Sequence, residues 1–381
     1  MKRKLIAFLN SYSQAISGGD ACFIELAKRM DKFEKVVVTS LLGRKLCEAK
    51  GLTANYLVTT QEQNFRNVIF TYLKRIIKAI FLRIKIDNED ILYSTSDFLP
   101  DVLPAFCQKI KNKYAYWVQK IFHLIPTNRF IPHFAQKISF FLIKNFADLV
   151  IVDNRLLQEE LIRQGFDANK IEVNPPGIDV KYFKDIKPSG EKGYDANFLG
   201  RLHPSKGIFD LVDVWKLVCE NKPNAKLAII GEGDERFKGE LKKRIKDANL
   251  EHNIDVLGYL EDDETFGIIK ASKVFVFPSH EEGFGIAILE AMACSLPVVA
   301  WNLPFYKEVF PRGMVRVPIG NIKEFAETVL KLLKDEQLRE GMSRETREIS
   351  QGYDWDNVAK RELELIENLV AEEEHGTSKI A

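Results

Sequence analysis

Short apolar segments alternate with amphipathic helical stretches along nearly the whole chain, and this alternation limits the possible folds more than any other feature. Segments 21–30 and 208–220, for example, carry apolar residues at helical spacing between two strand candidates. Such alternation predicts parallel sheets that are covered by helices on right-handed crossovers. Eleven short segments are predicted to be strands: Leu5–Leu9, Val36–Ser40, Ile91–Tyr93, Ala115–Val118, Leu149–Val152, Ile171–Val173, Ala196–Phe198, Leu227–Ile230, Ile254–Val256, Val274–Phe277 and Pro297–Ala300.

The length of the chain predicts two domains, because 381 residues exceed what one core of about 250–300 residues usually holds. The stretch 174–193 is rich in Pro, Gly and Lys, has little periodicity, and is predicted to be the interdomain linker. We therefore expect a first domain at 1–175, a second at 176–354 and a final helix at 355–371. Residues 372–381 have no apolar face and are predicted to be disordered.

Composition and cysteine usage indicate a globular protein of a reducing compartment. Hydrophobic residues make up 46% and charged residues 29% of the chain. Its five cysteines are scattered without a C-x-x-C pair, which argues against a disulfide framework or a zinc site. The N-terminal "MKRKLIAFLN" has too short an apolar run for a secretion signal and is predicted to be a buried strand. The run nearest to a membrane span, 138–152, carries Lys144 and Asp148. We therefore expect a cytoplasmic protein.

The net charge of +1 conceals a basic half and an acidic half. Residues 1–190 hold 29 Lys and Arg against 19 Asp and Glu, whereas the remainder holds 26 against 35. Within 65–86, apolar and aromatic residues recur at helical spacing with basic residues largely between them, which is typical of an interfacial membrane segment. The alternative is a core-facing helix with a solvated basic face; further basic tracts at 109–120 and 129–144 favour membrane contact. No motif that binds nucleic acid accompanies this charge, so we expect no nucleic-acid partner.

Glycines follow the first predicted strand, where Gly18 and Gly19 precede a helix. They would let the backbone approach a ligand, and a helix N-terminus favours an anion; the alternative is a plain strand-to-helix turn. The full G-x-G-x-x-G spacing is absent, which argues against a nicotinamide-dependent oxidoreductase.

Three further loops follow predicted strands of the second half. "GRLHPSKG" carries Arg201 and Lys206, "GEGDE" carries Gly231 and Gly233, and "PSHEEGFGIAILEAMACSLPVV" spans 278–299. Arg can bind two phosphate oxygens at once and Lys adds a compact charge, although an isolated pair is more often two solvated cations. Loops at the carboxyl ends of strands in one parallel sheet share an edge, where α/β folds bind ligands. The sequence therefore predicts an anion-binding site at that edge.

Together, "GRLHPSKG", "GEG", "VLGYLEDDE" and "PSHEEGFGIAILEAMACSLPVVA" resemble the retaining nucleotide-sugar glycosyltransferases of family 4 over about residues 5–370. The resemblance implies the α/β fold called GT-B, in which two Rossmann-like doubly wound domains face each other across a cleft. It also implies that the first domain binds the acceptor, that the second binds the nucleotide sugar, and that the helix 355–371 returns to the first domain.

The same resemblance assigns the site residues. Arg201 and Lys206 would neutralise the leaving nucleotide diphosphate, which makes a metal dispensable, and no other cofactor is implied. Glu282 would hold the sugar hydroxyls and Glu290 the ribose hydroxyls. His123 would contact the donor sugar from the first domain. The remaining predicted substrate-binding residues are Gly18, Gly19, Gly231, Gly233, Gly283, Phe284, Gly285 and Ile286.

Two positions depart from the family pattern: Leu124 stands where many members have Asp after the histidine, and Ser295 where they have Gly. We also expect Glu308 to match a further acidic residue of the family. The implied reaction is transfer with retention from a UDP- or GDP-sugar to an acceptor, plausibly a lipid-linked glycan, by an enzyme at the inner face of the membrane. Two alternatives stay open: a catalytically silent GT-B protein that binds glycans or nucleotides, and a soluble transferase of the glycogen- or sucrose-synthase type.

Overall fold

The computed structural model describes residues 2–11, 18–61, 67–189 and 193–377. The chain forms two compact units: an N-terminal unit, Met1–Gly177 with Trp355–Ala381, and a C-terminal unit, Ile178–Asp354. Each unit has its own parallel sheet and its own buried apolar core. These two sheets, each covered by helices, confirm the predicted α/β class.

The N-terminal unit contains a sheet of seven parallel strands in the order β3-β2-β1-β4-β5-β6-β7. The order reverses between β1 and β4, whose register pairs Leu5 with Ile91. Loops that follow these two strands therefore leave the sheet at its topological switch point, where α/β proteins bind ligands. The strands are β1 Lys4–Leu9, β2 Glu34–Thr39, β3 Asn55–Val58, β4 Ile91–Ser94, β5 Tyr116–Ile121, β6 Leu149–Val152 and β7 Ile171–Val173.

The helices of this unit begin where polar side chains cap them. Ser40, Asn67 and Asn154 each accept a hydrogen bond from a backbone N–H of the first turn that they precede. The helices are α1 Gly18–Arg29, α2 Leu41–Ala49, α3 Val68–Phe81, α4 Leu99–Lys111, α5 Phe130–Phe146, α6 Arg155–Arg163 and α15 Trp355–Thr377.

The C-terminal unit contains a sheet of six parallel strands in the order β10-β9-β8-β11-β12-β13. Its strands are β8 Ala196–Leu199, β9 Leu227–Ile230, β10 Ile254–Gly258, β11 Val274–Phe277, β12 Val298–Trp301 and β13 Met314–Val317. Its helices are α7 Val180–Asp185, α8 Ile208–Asn221, α9 Glu235–Asp247, α10 Asp262–Ala271, α11 Ile286–Ala293, α12 Tyr306–Val309, α13 Ile322–Lys334 and α14 Glu336–Gln351. The switch point lies between β8 and β11.

All eleven predicted strands are present, and two strands were missed. The central strands β9 and β11, "LAII" and "VFVF", are buried along their whole length, so they are continuous apolar runs. The missed strands, β3 and β13, are edge strands with partly exposed positions. A short edge strand keeps polar residues because it is paired and covered less completely, and its apolar signal is correspondingly weak.

The last helix, α15, belongs to the N-terminal unit and packs against α1. Its fully buried Glu362 accepts hydrogen bonds from the Lys120 ammonium at 3.0 Å, from the Asn174 amide at 2.8 Å and from the Tyr93 hydroxyl. The helix reaches Thr377, beyond the expected end at 371. The tail predicted for 372–381 therefore begins as helix, and residues 378–381 lie outside the described residues.

The stretch predicted as a linker is mostly packed structure. Asn174 is buried under α15, and Ile178 donates a backbone hydrogen bond to Tyr353 at 2.7 Å. Phe183 lies in the C-terminal core, and the Lys270 ammonium donates to its carbonyl at 2.9 Å. The boundary between the units thus falls at 177/178, and residues 178–189 pack with the C-terminal unit; 190–192 lie outside the described residues.

Within the described residues, no helix combines the length and the apolarity needed to cross a bilayer. All five cysteines are free thiols.

Candidate functional site

Three loops of the C-terminal unit meet at the carboxyl edge of its sheet, as the sequence predicts. They follow β8 (residues 200–207), β9 (231–234) and β11 (278–285). Backbone hydrogen bonds join them directly: Leu202 donates to the carbonyl of Glu232 at 2.8 Å, and His280 donates to that of Ser205 at 2.8 Å. The loops therefore form one continuous surface beside the switch point between β8 and β11.

Glycines permit this close approach of the loops. Gly231 has a φ of 137°, and a Cβ there would collide with the carbonyl oxygen of Gly200. A Cβ at Gly233 would likewise collide with the carbonyl of Leu202. Gly231 and Gly233, predicted as ligand contacts, thus set the spacing between the first two loops. At Gly207, φ is 71° and a Cβ would strike the carbonyl of Pro278 in the third loop.

The predicted cations Arg201 and Lys206 lie in the first of these loops and differ in their partners. The Lys206 ammonium lies 2.6 Å from the Glu282 carboxylate and also donates to the carbonyl of Glu281 at 3.2 Å. The Arg201 guanidinium is exposed and has no hydrogen bond or ion pair with any residue in the described part of the chain. The edge therefore holds one cation that is fixed by a carboxylate and one that is available for an anion.

The "GFG" segment turns the third loop into helix α11. Gly285 has a φ of 101° and directly precedes the first helical residue, Ile286. The Phe284 ring is buried and packs edge-on against Phe310 and Tyr353, with ring centroids 5.5 and 5.6 Å apart. The Phe284 side chain therefore anchors the turn in the core, which leaves backbone N–H groups as its means of binding a ligand.

The remaining predicted residues of this motif lie around the same turn. Gly283 is half-buried beside Glu282, and Ile286 packs against the core with a partly exposed side chain. Glu290 is half-buried one turn further along α11. The structure thus brings Arg201, Lys206 and Glu282 to one edge, with Glu290 on the helix that leaves it.

Tyr306 of α12 lies beside the turn of the third loop, and sequence reasoning missed it. Its side chain is fully buried, and its hydroxyl has no hydrogen-bond partner among the described residues. A Cβ on Gly285 would lie 3.5 Å from the Tyr306 ring. Burial raises the pKa of the Tyr306 hydroxyl well above its usual value, and the Glu282 carboxylate acts in the same direction. Within "NLPFYKEVF" this tyrosine is one of several apolar residues, so its pattern gives no functional signal.

Asp210 of α8 is a second residue that sequence reasoning missed. Its carboxylate accepts hydrogen bonds from Nε2 of His280 at 2.9 Å and from Nε1 of Trp301 at 3.0 Å. A carboxylate only accepts here, so the proton lies on Nε2 of the histidine. Asp210 thus fixes the start of the loop that carries Glu282. The predicted Glu308 lies on α12, two residues after Tyr306.

In the N-terminal unit, the structure brings the predicted Gly19 and His123 to neighbouring positions. Gly18 and Gly19 are the first residues of α1. A Cβ on Gly19 would lie 2.7 Å from the ring of Phe122, the residue before His123. His123 is half-buried and follows the end of β5 by two residues. Close approach of α1 to this loop therefore requires Gly19.

Asp97, in the loop after β4, is an acidic residue near His123 that sequence reasoning missed. It is buried and accepts a hydrogen bond from the Gln136 amide at 2.7 Å, and the same amide donates to the carbonyl of His123 at 2.9 Å. Burial raises the pKa of Asp97, opposed by the Gln136 hydrogen bond and by the charge of His123. The fold thus supplies an acid from a different loop, although Leu124 stands at the family's usual position.

A metal site was not expected from the sequence. In the described part of the chain, no three His, Cys, Asp or Glu side chains are grouped so that they could hold a metal ion. Independence from metal stays a prediction.

Comparison with known proteins identifies the C-terminal unit. Residues 180–349 match the family described as "Glycosyl transferases group 1". A glycosyl transferases group 1 domain is therefore present, which confirms the resemblance at this level.

Two curated relatives act on phosphatidylinositol lipids according to their names. The gpi3 subunit of the phosphatidylinositol N-acetylglucosaminyltransferase of Schizosaccharomyces pombe is 23% identical over 239 residues, or 62% of this chain and 52% of that subunit. The phosphatidyl-myo-inositol mannosyltransferase of Mycolicibacterium smegmatis is 30% identical over 212 residues, or 54% and 53% of the two chains. This chain spans about half the length of these relatives.

Among solved structures, that of HepE from Anabaena in complex with UDP and glucose resembles the chain with a TM-score of 0.78. Sequence identity is 19%, and the match covers 96% of this chain and 99% of HepE. At this identity the likeness establishes the fold alone. The predicted fold class, GT-B with two Rossmann-like α/β domains, is thereby confirmed.

Proposed function

We propose that this chain is a retaining glycosyltransferase that moves a sugar from a UDP- or GDP-sugar to a glycan or lipid-linked acceptor. The observation that carries the proposal is the arrangement of Arg201, Lys206 and Glu282. A cation fixed by a carboxylate and a cation without an ion pair among the described residues share the edge of a parallel sheet, beside its switch point. Glycosyl transfer from a nucleotide sugar needs charge stabilisation for the diphosphate and hydrogen-bond acceptors for the sugar, and this edge offers both.

The cations would act on the leaving group. As the bond between sugar and phosphate breaks, negative charge develops on the nucleoside diphosphate. Arg201, Lys206 and the N–H groups at the start of α11 would stabilise that charge in the transition state. Because these groups supply positive charge, we propose that no metal ion is required.

The carboxylates would grip the two polar ends of the donor. Glu282 is held in place by Lys206 and would accept hydrogen bonds from sugar hydroxyls. Glu290, one turn along α11, would accept from the ribose diol. From the N-terminal unit, His123 is the proposed contact to the donor sugar. We assign no enzymatic nucleophile; the leaving phosphate would assist attack by the acceptor on the same face of the sugar.

The proposed acceptor class follows from the charge of the N-terminal half and from the named relatives. That half carries 29 basic against 19 acidic residues, which favours an anionic, lipid-linked acceptor. Two relatives are named for transfer to phosphatidylinositol lipids. We therefore propose an enzyme that works in the cytoplasm at the inner face of a membrane.

Calorimetric titration of the purified protein with UDP-, GDP- and ADP-sugars, in the presence of a chelator, tests the donor site. We expect saturable binding of one donor. Arg201→Ala should weaken it by about 10- to 100-fold, since a hydrogen bond to a charged group contributes about 1.5–3 kcal/mol. Glu290→Gln should weaken the binding of nucleotide sugars with a ribose diol more than the binding of their 2′-deoxy analogues. The matched control is Arg312→Ala, an exposed arginine on the same unit that is paired with Glu348.

The outcomes separate the proposal from its alternatives. Slow hydrolysis of the bound donor that releases the sugar with its original anomeric configuration, read by NMR before mutarotation, supports a retaining transferase. Tight binding without turnover in the presence of membrane extracts indicates a catalytically silent binding protein. No binding of any nucleotide sugar, or equal loss in Arg312→Ala, contradicts the donor site.

A further inference from the structure

Helix α3 turns its apolar stripe toward solvent. Phe70, Leu73, Ile77 and Phe81 recur at intervals of three or four residues and are all more than half exposed. The opposite face is buried and contains Arg75, whose guanidinium donates to the carbonyl of Asn10 at 3.0 Å. The same face also buries Ile76 and Ala79. A helix that packs only against the core of its own unit keeps its large apolar residues on the buried face, which the exposed stripe of α3 does not follow.

Helix α5 also exposes an apolar stripe to solvent. Its stripe of Phe130, Phe134, Ile138 and Phe141 is exposed at helical spacing. The buried face of this helix includes the polar Gln136 and Ser139. Two helices of one unit thus expose a stripe of apolar side chains, although each also buries apolar residues: Ile76 and Ala79 on α3, Phe140 and Ile143 on α5.

Helices α3 and α5 belong to one layer on the sheet. Helix α4 packs against α3 on one side and against α5 on the other. The rule of right-handed crossovers also places all three on the same face of the sheet, since the connections from β3 to β4, β4 to β5 and β5 to β6 all run in one direction across it. We call the exposed apolar side chains of α3 and α5 the apolar layer. The sequence suggested membrane contact for the segment 65–86, and the apolar layer adds α5 to it. Residues 65 and 66 lie outside the described residues.

The charged residues within the two helical segments have a single sign. Neither 67–86 nor 129–147 contains an aspartate or a glutamate. Exposed cations on the two helices include Lys78, Lys137 and Lys144. Exposed apolar side chains in this number are rare on a monomeric soluble protein and mark an interaction site.

The charge pattern selects among the occupants. A two-fold dimer would place the same patch against itself, so that the cations of each copy would face cations with no acidic residue of either segment to compensate them. A nucleic acid offers phosphates but would leave the aromatic stripes uncovered. An anionic bilayer offers an apolar interior for Phe and Ile and headgroups for Lys, which is how interfacial helices bind.

We propose that the apolar layer of α3 and α5 docks the protein on the surface of an anionic lipid bilayer. The contact is peripheral: the stripes enter the headgroup region and the lysines pair with lipid phosphates. Both helices begin at the carboxyl edge of the sheet, the edge that also carries His123. If the proposed function holds, docking therefore brings that edge close to a lipid-linked acceptor; the docking itself does not depend on the transfer reaction.

Flotation of the full chain with phosphatidylcholine vesicles, with and without phosphatidylglycerol, tests the proposal. We expect binding to the anionic vesicles, weakened by salt. The double variant Phe70→Ser/Phe134→Ser should reduce it by about tenfold or more. The double variant Lys78→Gln/Lys137→Gln should reduce it by about 25-fold on anionic vesicles only, because each cation strengthens binding by about fivefold. Ile319→Ser, an equally exposed apolar residue of the C-terminal unit, is the matched control and should leave binding unchanged.

The same preparations report on donor binding and on oligomeric state. All variants should keep the wild-type affinity for the nucleotide sugar, and an unchanged thermal transition of the N-terminal unit shows that this unit is folded in them. Loss of vesicle binding with that transition intact supports docking through this layer. Absence of vesicle binding by the wild type, or unchanged binding in the Phe70→Ser/Phe134→Ser variant, overturns the proposal but leaves the proposed sugar transfer from a nucleotide sugar untouched. A wild-type dimer that this variant converts to monomer also overturns it, in favour of a second copy as the occupant.

Discussion

At the scale of single residues, Ser295 shows how a departure from a family pattern acquires a physical meaning. It follows the end of α11 with a φ of 64°, in the left-handed region that favours glycine. Its N–H donates to the carbonyl of Met292 at 2.8 Å, and the N–H of Leu296 donates to that of Ala291 at 3.1 Å. This is the hydrogen-bonding pattern of a Schellman helix end, in which glycine is the usual residue at the first position after the cap.

We expect Ser295→Gly to raise the free energy of unfolding by about 0.5–1 kcal/mol. The gain from relieving the left-handed conformation, about 1–2 kcal/mol, exceeds the added entropy of glycine in the unfolded chain. Urea unfolding at equilibrium measures the difference. Both variants lose the exposed hydrogen bond from Arg347, and Ser295→Ala keeps the backbone strain as well, so this control should be slightly destabilised. A glycine variant less stable than the serine would show that the backbone at 295 is not strained.

At the scale of elements, α15 depends on one buried charge. Glu362 is fully buried and paired with Lys120, which is itself buried. Burial alone would lower the pKa of Lys120, but the carboxylates of Glu362 and Asp153 raise it above its usual value. The sequence "WDNVAKRELELIENLVA" presents Glu362 as one of three glutamates on an amphipathic helix, and only the packing of α15 distinguishes it from the other two.

Glu362→Ala should destabilise the N-terminal unit by about 3–5 kcal/mol, because it leaves the Lys120 ammonium buried without its partner. Denaturant unfolding followed by circular dichroism measures the loss. Glu364→Ala is the control. Glu364 lies on the same helix but is exposed, and its ion pair with Lys360 is long, at 4.0 Å, so this variant should change stability by less than about 0.5 kcal/mol. Equal stability of the two variants would mean that α15 is held by its apolar contacts alone.

Edge strands are the elements that sequence patterns failed to predict. In β3, "NYLV", three of the four residues are partly exposed and the first is exposed, so the segment lacks the buried apolar run that identifies β9 or β11. Hydrogen bonds to the neighbouring strand β2 make it a strand. That partner is distant in sequence, and local patterns do not encode it.

At the scale of the whole molecule, two units with separate cores predict two thermal transitions. A nucleotide that binds the C-terminal unit should raise only one of them. At 100 times its dissociation constant it adds about 2.7 kcal/mol, which corresponds to roughly 5–10 °C for a unit of this size. Differential scanning calorimetry with the donor found by titration measures the shift. Glu362→Ala should lower the other transition, which identifies it as the N-terminal unit; a single transition, or equal shifts of both, would contradict this assignment.

The sequence alone determined the fold class, the eleven strands with strong apolar runs, and the loops that carry Arg201, Lys206 and Glu282. Periodicity and strand order suffice for these because central strands are buried on both faces and the carboxyl ends of parallel strands meet at one edge. The tertiary structure alone decided which glutamate anchors α15, that Tyr306 lies beside Gly285, that Asp97 is close to the loop of His123, and that α3 and α5 turn their aromatic residues outward. Each of these depends on contacts between residues far apart in the chain. A local pattern shows that a helix has two faces, but only the elements packed against it determine which face is buried.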